Sequence, residues 1–66
     1  MEVKEEFTMW FQDGGGRTLI SDRRELRKYA KQFDFNADEV IRHGETTMYD
    51  KDDVMVGGVF CEIRYN

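Results

Sequence analysis

The apolar positions of this chain change period twice, and the changes divide it into elements. From Met1 to Gln12, Val3, Phe7, Met9 and Phe11 alternate with Glu2, Lys4, Glu6, Thr8, Trp10 and Gln12, and Glu5 is the one acid in the apolar register. A period of two sends successive side chains to opposite faces of a strand, and the aromatic end near Phe11 suits a pleated surface. Asp13-Gly14-Gly15-Gly16 predicts a turn, because glycine tolerates positive φ. Thr18, Leu19 and Ile20 predict a short return strand or an extended lead into a helix.

The period then lengthens. Leu26, Tyr29, Ala30 and Phe33 fall at i, i+3, i+4 and i+7, one continuous stripe on a helix of about 3.6 residues per turn. The helix starts at Ser21 or Asp22, where Glu25 follows Asp22 at the capping-box spacing, and it ends near Phe33. Asp34-Phe35-Asn36 predicts a sharp corner, with Phe35 turned inward beside Phe33. A shorter helix follows. Asn36 caps it, Asp38 and Glu39 sit where the dipole favours anions, Arg42 and His43 close it, and Gly44 stops it. Val40 and Ile41 form its buried side. Asp38 with Arg42 and Glu39 with His43 are i,i+4 pairs, each worth about 0.2–0.5 kcal/mol when closed.

After Gly44 the period returns to two. Thr46 to Tyr49 are β-formers, Asp50-Lys51-Asp52-Asp53 is a charged turn, and Val54-Met55-Val56 resumes the strand. Gly57-Gly58 predicts an interruption, either a bulge or a second tight turn. Val59, Cys61, Ile63 and Tyr65 then alternate with Phe60, Glu62, Arg64 and Asn66. The pattern predicts one α+β domain over residues 1–66. An N-terminal strand or hairpin and a C-terminal hairpin share a small antiparallel sheet, with two short helices between them. Trp10 and Phe60 fall on the otherwise polar register. They are expected on the outer face of that sheet, as an apolar surface for a dimer or another partner.

Size sharpens this expectation. A chain of 66 residues buries only about 60% of the surface it exposes when unfolded, and such a core rarely supplies more than roughly 3–5 kcal/mol. Cys61 is the only cysteine, so no disulfide staples the domain, and a lone thiol on an inward register points to a reducing compartment and an inert side chain. No stretch approaches the roughly 20 apolar residues of a membrane span, and Met1 is followed by charge rather than by a signal-peptide core. A cytoplasmic protein is expected, and self-association into a homodimer is the remaining route to more buried area.

The net charge of −4 is unevenly spread. Residues 1–13 carry −3 and residues 34–53 carry −5, whereas residues 17–31 carry +4 from Arg17, Arg23, Arg24, Arg27, Lys28 and Lys31 set against Asp22 and Glu25. Such asymmetry bears on partners rather than on fold.

The groups that usually carry chemistry are poorly placed for it. The glycine turn lacks the GxxxxGK[ST] spacing of a phosphate loop. Asp50, Asp52 and Asp53 begin like a calcium loop, but the fifth, sixth and twelfth positions are Val54, Met55 and Cys61. His43 has no neighbouring His or Cys for a zinc set, and nothing local activates Cys61 toward it. The expectation is a non-enzymatic protein with no metal, cofactor or catalytic residue.

Two readings involve nucleic acid. Leu26 to His43 resembles a helix-turn-helix, with Ala30, Phe33, a turn, Phe35 and Val40 in sequence and Thr46 to Tyr65 available as a wing. That resemblance implies DNA binding through the basic face of the helix over residues 22–33, carried by Arg23, Arg24, Arg27, Lys28 and Lys31. The second reading is imitation of nucleic acid. Asp34, Asp38, Glu39, Glu45, Asp50, Asp52 and Asp53 would present spaced negative charge to a protein that normally grips phosphates. Thr8-Met9-Trp10-Phe11-Gln12-Asp13 followed by Gly14, with Ala37-Asp38-Glu39-Val40-Ile41-Arg42, resembles the short uracil-DNA glycosylase inhibitors of some Bacillus phages. Those are acidic dimers that occupy a DNA-binding site. The two stretches make up about a fifth of the chain. The resemblance implies a phage-type inhibitor of a host DNA-handling protein, working in the host cytoplasm. An accessory subunit unconnected with nucleic acid is the third possibility.

Overall fold

A computed structural model describes residues 2–65. The elements run β1 (Val3–Phe11), β2 (Arg17–Ile20), α1 (Arg23–Phe33), α2 (Ala37–His43), β3 (Glu45–Tyr49) and β4 (Met55–Tyr65). Met1 and Asn66, the ends of the expected first and last strands, lie outside the described residues. The four strands form one antiparallel sheet in the order β2-β1-β4-β3, which is the expected α+β architecture. Its centre is the pairing of β1 with β4, from Val3 opposite Tyr65 to Phe11 opposite Gly57. The helices leave the β2 edge and return at the β3 edge. No helix is long and apolar enough to cross a membrane.

Local chemistry sets the helix ends. Asp22, in extended backbone, accepts a hydrogen bond from Glu25 N–H at 2.8 Å. The reciprocal half of a capping box is replaced by the Ser21 hydroxyl, which donates to the Glu25 carboxylate at 3.2 Å. Asn36 accepts from Glu39 N–H at 3.1 Å. Gly44, at φ 88°, closes α2 by donating to the Val40 carbonyl. The two expected i,i+4 pairs on α2 do not close. The side-chain ion pairs within 4 Å among the described residues are Arg23 with Glu5 and Arg64 with Glu6 and Glu62.

Both helices cover one face of the sheet. Phe7 and Met9 of β1, Ile20, Met48 and Val59 are buried there against Leu26 of α1 and Val40 of α2. Phe11 and Phe33 close one end of the core with ring centroids 5.6 Å apart. Phe35 and Ile41 pack against the same cluster, and Cys61 joins its margin, half-buried opposite Phe7. Burial pushes the Cys61 thiol up from its ordinary pKa.

The glycine pair behaves differently from expectation. β4 runs unbroken through Gly57 and Gly58, and the irregularity lies one residue earlier, where Met48 faces Gly57 but Tyr49 faces Met55. The glycines are there for close approach rather than for turning. A Cβ on Gly57 would lie 2.1 Å from the Trp10 carbonyl oxygen, and one on Gly58 would meet the Trp10 indole at 3.0–3.1 Å. Trp10 therefore lies over Gly58 on the face of the sheet away from the helices.

Candidate partner-binding surface

The corner between the helices and the turn between β3 and β4 come together at one end of the molecule. Asp34 ends α1 in the left-handed conformation, at φ 59°, and its backbone N–H bonds to the Ala30 carbonyl. That reversal brings α2 back beside β3 with its N-terminal turn exposed. Across from it, Asp50 organises the hairpin turn: its Oδ1 accepts from the N–H groups of Asp52 (2.8 Å) and Val54 (3.1 Å). Asp53 then takes the left-handed conformation, at φ 60°.

A shallow depression lies between these two corners. Asp34, Asp38 and Glu39 line it from the helices, and Asp50 and Asp53 line it from the turn. Five of the seven carboxylates singled out in the sequence thus share one concave surface. Arg27 and Lys31 of α1 stand on its rim, so the local balance is acidic but not uniform. Phe35 and Tyr49 supply its apolar part, and Tyr49 is largely exposed.

The other two acids lie apart. Asp52 sits in the turn outside this depression. Glu45 faces the opposite side of the sheet, directly across from Phe60, in a second hollow with Trp10, Thr47 and Gly58. Trp10 and Phe60 are there together, as their register predicts, and both are half-buried. Thr46 and Thr47 line both hollows. The acidic depression and the aromatic one are therefore contiguous across the edge strand β3. Tyr49, Arg27 and Lys31 were not marked as part of this surface in the sequence. In the sequence Tyr49 is only a β-former, and Arg27 and Lys31 belong to the basic helix face of the DNA-binding alternative.

The basic flank is more dispersed. Arg23 is turned to Glu5, which it grips with two hydrogen bonds of 2.9 Å. That contact holds the Glu5 carboxyl below its ordinary pKa. Arg24 and Lys28 border a hollow of their own with Asp22, Glu25 and Tyr29. Among the described residues no group of three or more His, Cys, Asp or Glu side chains converges as a metal site. No protein-family model, curated protein or solved structure matches the chain.

Proposed function

We propose that this protein is a small non-catalytic inhibitor that occupies the basic, nucleic-acid-binding surface of another protein. The observation that carries the proposal is the continuity of the two hollows: a cluster of five carboxylates adjoins an aromatic patch across one edge strand. Carboxylates gathered on one surface offer lysines and arginines an alternative to phosphates, and Trp10, Phe60 and Tyr49 offer the apolar contact that fixes a specific complex. The sequence resemblance to phage inhibitors of a DNA-repair enzyme points the same way, toward a host DNA-handling protein as the target. Direct DNA binding is disfavoured by electrostatics, because Asp38 and Glu39 stand at the exposed N-terminal turn of α2, where a recognition helix would meet the groove.

The test is capture from bacterial lysate on immobilised protein. The wild-type chain is expected to retain a basic DNA-binding protein, with recovery falling steeply as salt rises. A D38N/E39Q/D50N/D53N variant keeps the hydrogen-bond acceptors at Asp50 and the tolerance of positive φ at Asp53, yet loses four charges. Its recovery of the same protein should drop at least about tenfold. Equal recovery by the variant, or a duplex-DNA gel shift by the wild-type chain at low salt, would leave the basic face of α1 as the functional one.

A further inference from the structure

The two central strands outrun their neighbours. β2 pairs with β1 only over Phe7–Trp10, and β3 reaches no further along β4 than Phe60. Val3–Glu6 and Glu62–Tyr65 therefore project as a two-stranded ribbon. An isolated pair of strands is marginally stable in water.

The ribbon's side chains are sorted by face. Lys4, Glu6, Glu62 and Arg64 lie on the side away from the helices, where Arg64 pairs with both glutamates. The other side continues the register of Phe7 and is apolar except for Glu5, whose charge Arg23 already neutralises. This is the alternation of a strand with one face in a core, yet the core stops short of it. Val3 is 61% exposed, Ile63 55% and Tyr65 67%. The surplus shows in the whole molecule. A folded monomer of 7.9 kDa exposes about 4,400 Å² by the usual scaling, whereas this chain exposes 5082 Å². The excess of about 700 Å² belongs to the whole chain, the uncovered ribbon being one part of it, and compares with the roughly 800 Å² that each partner contributes to a stable interface.

We infer that a second copy of this chain covers the ribbon, in a two-fold dimer where Val3, Ile63 and Tyr65 of one protomer pack on the same residues of its partner. A two-fold contact needs a surface that complements itself, and an apolar strip with its single charge internally paired meets a copy of itself without repulsion. The dimer does not depend on the inhibitor reading. It leaves the depression and the aromatic hollow free for another protein.

Sedimentation equilibrium of the full chain from about 1 to about 500 μM tests this, read beside the melting temperature at the same concentrations. The wild-type mass should move from one chain toward about 16 kDa, twice 7.9 kDa, as concentration rises. A V3K/I63K variant should stay near one chain, with the dimer dissociation constant raised at least about 100-fold. These positions are more than half exposed, so the fold should survive the lysines, and Tyr65→Ser serves as a milder second variant, expected to weaken the dimer about tenfold. Leu19→Lys, on the opposite face and 73% exposed, should leave association unchanged. A wild-type chain that stays monomeric throughout would overturn the inference. So would a V3K/I63K chain that dimerises normally, or a Leu19→Lys chain that does not.

Discussion

At the scale of single residues, the structure separates two glycines that look alike in the sequence. Gly57 stands against backbone, and a methyl group there would collide with the Trp10 carbonyl. Gly58 stands against the edge of a side chain that can tilt. Gly57→Ala is therefore expected to cost about 2–3 kcal/mol and Gly58→Ala about 1 kcal/mol, measured by urea denaturation. Equal losses would mean that the β1–β4 spacing adjusts freely. The caps Asp22, Asn36 and Gly44 were legible because each acts on its own helix, within four residues. The role of the glycine pair was not. Glycine signals permissive backbone whether the cause is a turn or a close neighbour, and here the neighbour is distant in sequence.

At the scale of elements, period places both helices and the strands β1 and β3 within a few residues of where they form, whereas it leaves β2 open between a strand and an extended lead and predicts a break at Gly57-Gly58 that β4 does not have. What period could not supply was which charges meet between elements. Arg23 and Glu5 join the start of α1 to β1 across 18 residues of sequence, while the local pairs expected on α2 stay open. The contact makes stability depend on acid. Glu5 is held below its ordinary pKa, chiefly by hydrogen bonding to Arg23, so its contribution is present above the unfolded value near 4.5 and is lost as pH falls through the folded one. Because the pair is well exposed, the effect is small. Urea midpoints between about pH 3 and pH 7 should fall less steeply toward acid for Glu5→Gln than for the wild-type chain. Parallel curves would remove Glu5 from the account.

At the scale of the whole molecule, five carboxylates from two separate segments meet in one depression only because the helices cross the sheet from edge to edge. The sequence showed which segments are acidic. Glu45 leaves that group because alternation along β3 sends it to the face away from the buried Thr46 and Met48. The sequence could not show that β1 and β4 would be neighbours at the centre of the sheet, since pairing between the two ends of the chain leaves no local signal.

That central pairing also dictates an order of events. The first strand has its main partner in the last one, so β1 must wait for nearly all the intervening chain to be made and brought round before Phe7 and Met9 find cover on that side. Closing so long a loop precedes most of the gain it permits, which slows the search. Refolding followed by Trp10 fluorescence is expected on the scale of milliseconds to seconds, and microsecond refolding would contradict it. Until β4 arrives, β1 has only β2 beside it, and the edge that β4 will occupy stays open to non-native strand pairing.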